Sequence, residues 1–273
     1  MENNLFSNMP DCVDQHKFYF SKKNICEIPG PGTTKLNMKK ILLLSFHDFQ
    51  LIYHDKVLMV ILFIPVIMVS MLWWGVPPIM ESLSIDAQYY PLVVSVFCVV
   101  AAISPAYLVS FIMLDEKDEN VLTVIRTMPL SPVFFLSYRI LFTLIFGFFT
   151  SILILTFSTF SLTLINLLLI SLLVSLFAPI TALTIITFSR NKIEGLTFLK
   201  GINLLIILPV LSFFTGTIGK ITLAFIPTFW IYQALMNKDF LEFFLLYLST
   251  GLVINILILL LLINQFKRRV FEN

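Results

Sequence analysis

Read only for apolar and polar positions, the chain alternates long apolar runs with short polar stretches. A helix needs ~20 mostly apolar residues to cross ~30 Å of hydrocarbon. Six runs meet or approach that length: 57–76, 91–114, 133–155, 164–188, about 196–216 and 243–266. The third contains Arg139 about two turns in, and the fifth contains Lys200. Both side chains are long enough to carry their charge back to the interface. The pattern predicts an all-α membrane protein with six transmembrane helices.

Ahead of the first run the pattern changes. Leu42, Phe46, Phe49 and Tyr53 recur at three- and four-residue steps, with Lys40, His47, Asp48, His54 and Asp55 over much of the remaining surface. This predicts an amphipathic helix over 39–56, lying in the interface with its apolar face down. His47 and His54 read as solvated interfacial side chains rather than metal ligands. Residues 1–36 show no sustained period and include the breaker cluster Pro-Gly-Pro-Gly at positions 29–32. They read as a flexible tail, and 37–273 as the six-span domain. Met38, followed by Lys39 and Lys40, reads as an alternative start of translation.

Composition narrows the function classes. The chain is 58% hydrophobic and 12% charged, with 28 Phe, more apolar side chain than a water-soluble core of 273 residues can hide. A formal net charge of +2 spread along the chain gives no basic face for nucleic acid. Cys12, Cys26 and Cys98 are odd in number and lack metal-ligand spacing, so neither a disulfide framework nor a metal site is expected. No span carries an ionised residue at its middle, which argues against a proton- or ion-coupled carrier. HExxH, GxSxG and paired acidic residues within a span are all missing from the sequence. The stretch Gly-Thr-Ile-Gly-Lys-Ile-Thr at 216–222 resembles part of a phosphate loop, but Phe214 stands where the first Gly is required and Ile221 where Ser or Thr would meet magnesium. No cofactor is expected in this chain.

The Lys and Arg residues set the orientation, since positive residues are retained on the cytoplasmic side. Of the 18, sixteen fall in the tail, the 115–132 loop, the 189–200 region, the C-terminus and the adjoining span ends. Lys220 and Lys238 alone fall in the opposite set. Both termini are therefore expected in the cytoplasm, and the protein in the cell membrane.

Charge is concentrated in one place, the unbroken row from Asp115 to Glu119. From 116 to 128 a short helix is expected, with acidic residues in its first turn, Arg126 near its last, and Pro129 as its stop. Val121, Leu122 and Ile125 form an apolar patch. Such an element is suited to a groove on a partner, and the plainer alternative is a solvated loop.

Here the chain resembles the membrane subunits of ABC-2 type exporters. After their second span these read roughly Glu-Lys/Arg-Glu-x-Gly-Thr, then a Leu-rich helix, then Thr-Pro-Leu/Val-Ser. This sequence has Glu116, Lys117, Asp118, Glu119, Asn120 and Val121, then Leu122 to Thr127, then Met128, Pro129, Leu130 and Ser131. Asn120 replaces the family Gly, and Val121 and Met128 replace its two Thr. The next residues, Ser-Pro-Val-Phe-Phe-Leu-Ser-Tyr-Arg, are similar to drug-export members, some linked to fluoroquinolone efflux. Residues 223–235, with Pro227, Trp230 and Tyr232, resemble the family's outer segment between spans 5 and 6 and read as a re-entrant hairpin, with its aromatic residues suited to headgroup depth.

The resemblance implies a permease that pairs with a second permease and with a separate ATPase subunit, which would hold ATP and magnesium. The coupling residues would be Glu116, Lys117, Asp118, Glu119, Asn120, Leu122, Ile125, Arg126 and Pro129, with Glu116 held against a basic residue or helix end of the ATPase. Candidates for a path taken by an amphipathic, drug-like or lipid-like small molecule are Ser104, Tyr107, Ser110, Asn203, Ser212 and Thr215. Each of these six could equally be a helix-packing contact. A membrane scaffold that recruits a partner without transport, and a lipid-modifying enzyme, are the competing readings.

Overall fold

The computed structural model describes residues 55–118, 132–158 and 162–271, all within the unit Leu36–Asn273. The tail, the 39–56 helix apart from Asp55 and Lys56, and positions 119–131 lie outside the described residues.

Among the described residues every regular element is helical, and six helical stretches are long and apolar enough to cross a membrane: Leu58–Ser82, Ala87–Asp118, Leu136–Thr156, Leu164–Phe188, Lys192–Phe213 and Leu241–Arg269. We number them spans 1 to 6; span 1 holds helices α1 (Lys56–Ser70) and α2 (Val76–Ser82), span 2 holds α3 (Tyr90–Asp118) and span 3 holds α4 (Pro132–Thr156). They coincide with the six apolar runs, but spans 1, 2 and 6 continue several residues beyond the boundaries read from hydropathy.

Spans 4 and 5 change helical form beside a proline. Span 4 is two helices, α5 (Leu164–Ser175) and α6 (Phe177–Phe188). Pro179 has no N–H to return to the carbonyl four residues behind it, and the helix changes there. Span 5 begins as α7 (Lys192–Ile207) and tightens to a 3-10 turn over Leu208–Phe213, with Pro209 at its start. In the long helix α3 (Tyr90–Asp118), Pro105 deprives the Ala101 carbonyl of its helical partner. The Ser104 hydroxyl donates to that carbonyl at 2.8 Å instead, and the helix continues.

Spans 2 and 4 form the centre. Span 2 packs against spans 1, 3, 4 and 5, and Ala101, Ala102, Ser104, Ala106 and Ser110 are all buried along it. Such small side chains let backbones approach closely where lipid supplies no hydrophobic drive between helices. Gly147 of span 3 shows how closely: a Cβ added there would lie 3.1 Å from the Ala102 carbonyl oxygen and 3.2 Å from the Ala178 Cβ.

Between spans 5 and 6 stand two short helices, α8 (Thr217–Leu223) and α9 (Pro227–Met236), with Pro227 opening the second. Tyr232 does not face outward. It is fully buried, and its hydroxyl donates to the Ile206 carbonyl at 2.8 Å. A 3-10 turn would return the N–H of residue 209 to that carbonyl, but residue 209 is proline. Trp230 donates to the Ala224 carbonyl at 2.9 Å, closing the turn between the two helices.

Candidate functional site

Asp115 to Asp118 continue the helix of span 2 as the last described turn of α3, and the rest of the helix expected over 116–128 lies outside the described residues. The helix runs through them because each finds a partner on a neighbouring element. At 3.6 residues per turn, four consecutive side chains sweep about 300° around the axis, and here they use that sweep.

Asp115 accepts from Lys192 Nζ at 2.9 Å, and the same amine reaches Asp55 at 3.0 Å, so one lysine at the start of span 5 joins spans 1 and 2. Glu116 accepts from Arg139 Nη2 of span 3 at 2.7 Å. Lys117 Nζ donates at 2.8 Å to the carbonyl of Ser189, just past the C-terminus of span 4, where a cation complements the exposed carbonyls. The Asp118 carboxylate accepts from the backbone N–H of Lys192 at 3.4 Å. Span 2 is thus tied at this end to spans 1, 3, 4 and 5.

Two further features complete this end. Asn191 caps span 5, accepting from the Glu194 N–H at 2.8 Å, while the Glu194 carboxylate accepts from the Arg190 N–H at 2.6 Å, in the manner of a capping box. Arg269, near the end of span 6, lies over the Phe188 ring with 4.8 Å from guanidinium carbon to ring centre.

Arg139 reaches back to the charged end of span 2, where it is 3% exposed and paired with Glu116, itself 16% exposed. A lone arginine two turns inside an apolar span needs a counter-charge at its own depth, and that requirement was the sequence signal for this contact. The carboxylate that meets it is 23 residues away.

The six path candidates divide. Tyr107 of span 2 and Asn203 of span 5 are brought together, with the phenol donating to Asn203 Oδ1 at 2.7 Å. Ser104 and Ser110 are buried, and their hydroxyls return to their own helix at the Ala101 and Ala106 carbonyls. Ser212 is buried in the 3-10 turn of span 5, and Thr215 is exposed, its hydroxyl bonded to the Leu211 carbonyl. A cavity of about 10 Å³ lies between spans 2, 3 and 4 beside Arg139, room for about one water. Hydropathy also passed over Asn255, fully buried in span 6 with Nδ2 donating to the Gly251 carbonyl at 2.8 Å, and Gln233, buried in α9. Of the coupling candidates, Glu119, Asn120, Leu122, Ile125, Arg126 and Pro129 lie outside the described residues.

Six spans around a small-residue core, with ionic ties gathered at one end of the second, define an α-helical multi-pass membrane protein. A model of the family described as "Fluoroquinolones export permease protein Rv2686c-like" matches residues 48–263. The chain belongs to that family of membrane permeases. It is 26% identical over 234 residues to the fluoroquinolones export permease protein Rv2686c of Mycobacterium tuberculosis (strain ATCC 25618 / H37Rv), covering 82% of this chain and 92% of the relative. The same figures hold for the fluoroquinolones export permease protein MT2760 of Mycobacterium tuberculosis (strain CDC 1551 / Oshkosh).

Proposed function

We propose that this chain is the membrane-spanning subunit of an ATP-driven exporter that moves an amphipathic, drug-like compound outward, with ATP and magnesium held by a separate ATPase subunit. The observation that carries the reading is the match to permeases named for fluoroquinolone export over most of this chain. The anchoring of the helix that leads into positions 119–131 supports it, because a segment that receives force from a partner needs firm roots. In this reading that segment docks on the ATPase, a second permease completes the complex, and both termini are cytoplasmic.

The test is reconstitution. The permease purified with its ATPase into liposomes is expected to hydrolyse ATP faster when a fluoroquinolone such as norfloxacin is added, and to transport it. Copurification of a cytoplasmic partner with no ATP-dependent movement of norfloxacin or of fluorescent phospholipid analogues would overturn the export reading in favour of a scaffold. For orientation, cysteines introduced at Ser84 and Asn237 are expected to be labelled from outside intact cells and one at Asn191 protected. The reverse pattern would invert the topology.

A further inference from the structure

We propose that Arg139 and Glu116 form a positioning pair that locks the two roots of the 119–131 segment together, so that spans 2 and 3 move as one body when that segment is pushed. In this assignment Glu116 is not a docking contact for the ATPase. The inference rests on the export reading and concerns how force enters the spans.

Three observations carry it. The first is placement: Glu116 is in the last turn of the helix that ends at Asp118, and Arg139 is in the second turn of the helix that starts at Pro132. Their 2.7 Å contact closes the chain on itself across the segment. The second is burial. With Arg139 at 3% and Glu116 at 16% exposure, the carboxylate is turned into the bundle and offers little surface to an incoming protein. The third is the surroundings of Arg139: Val109, Met113, Leu136, Ile140 and Leu183 line the adjoining cavity, whose volume of about 10 Å³ leaves room for about one water. With so little room for water beside it, the contact between the guanidinium and the Glu116 carboxylate meets little competition from solvent.

The other charges of the row have different duties. Asp115 and Asp118 meet Lys192, and Lys117 meets the end of span 4. Among these ties the one from Glu116 is directed at the span that leaves the segment. Loss of this tie should weaken the coupling of hydrolysis to movement, since span 3 would then follow span 2 only through packing farther along the helices, around Gly147 and Ala102.

The test uses the permease–ATPase complex in liposomes, with norfloxacin transport and ATP hydrolysis measured together. Glu116→Gln and Arg139→Gln are each expected to lower transport at least tenfold while the ATPase still copurifies, and to raise the ATP hydrolysed per norfloxacin moved several-fold. The exchanged pair, Glu116→Arg with Arg139→Glu, is expected to recover transport to within about threefold of the parent. If either Gln variant fails to reach the membrane, Glu116→Asp and Arg139→Lys take its place, with the same directions expected at smaller size.

Four results would overturn the inference. They are loss of the ATPase with Glu116→Gln but not with Arg139→Gln, parental transport in both single variants, an exchanged pair no better than the singles, or transport and hydrolysis falling together at an unchanged ratio. The last would reduce the pair to a fold-stabilising contact. A parent complex that moves no norfloxacin under ATP fails the export reading instead. The pair is then decided by norfloxacin-independent hydrolysis in the same liposomes, expected to persist in the single variants and to cease only if Glu116 is the docking contact.

Discussion

Spans 2 and 4 are about as apolar in sequence as spans 1 and 6, yet they occupy opposite places in the molecule. The most apolar stretches of spans 2 and 4 are 78% and 83% buried within the chain, against 17% and 22% for spans 1 and 6. Hydropathy therefore reports which solvent a helix tolerates and not which neighbours it has. In hydrocarbon, a leucine gains nothing from leaving lipid for another leucine. Close backbone approach and hydrogen bonding decide instead, and these come from Ala101, Ala102, Ala106 and Ser110 in span 2 and from Ser171, Ser175, Ala178 and Ala182 in span 4. Spans 1 and 6 present Val60, Phe63, Val66 and Leu257, Leu260, Leu261 outward.

The comparison can be broken most forcefully at a glycine that faces the centre. Gly147→Leu has to push aside the Ala102 carbonyl and the Ala178 side chain, and we expect it to destabilise the purified protein by about 3 kcal/mol, read as a lowered midpoint of unfolding in mixed micelles. An unchanged midpoint would mean that spans 2, 3 and 4 are not packed as described.

Ser104→Ala comes next. It removes the donor that serves the Ala101 carbonyl behind Pro105, and a buried carbonyl left without that partner costs about 1–2 kcal/mol. Stability should fall while norfloxacin transport per folded molecule is retained. A selective loss of transport would assign Ser104 to the substrate path instead.

Tyr107→Phe should cost less, about 0.6 kcal/mol, the typical worth of a hydrogen bond between spanning helices. The same variant sharpens the path question, because Asn203 is only partly buried and stays available to a solute. A change in the norfloxacin concentration for half-maximal transport, with stability nearly unaltered, would place the Tyr107–Asn203 contact on the path. No change would make it a packing contact between spans 2 and 5.

The smallest effect is expected at Gly201, on the open face of span 5, where an added Cβ meets nothing within 4 Å. Gly201→Leu should alter stability by less than about 0.5 kcal/mol. Set beside Gly147→Leu in the same assay, it measures the difference between the centre and the periphery with one substitution. A loss as large as that at Gly147 would show that another surface covers span 5 in the purified protein.

The site was legible in part. That charge would matter between spans 2 and 3 could be read from its concentration in so apolar a chain, and the row was expected to begin an element directed outward. The described part of that row, Asp115 to Asp118, continues the helix of span 2, and its side chains turn to neighbouring spans. The reason is angular. Successive residues on a helix point about 100° apart, so a block that looks like one patch in sequence becomes four separate contacts once other helices surround it. Tyr232 illustrates the same limit: an aromatic with a polar tip suits an interface, but it suits equally well the carbonyl beside a buried proline.

What the sequence determined by itself was the solvent and the count. A ~20-residue apolar length is fixed by bilayer thickness and backbone rise, both local quantities, so six spanning helices could be counted without knowing where any of them lies. Tertiary structure alone decided which spans are central, that Arg139 is buried, and that Glu116, 23 residues away, is its partner. Those outcomes depend on which helix faces are brought together by small residues, and on a charge inside lipid taking whatever counter-charge the packing places at its depth. Neither is encoded in any single run of the chain.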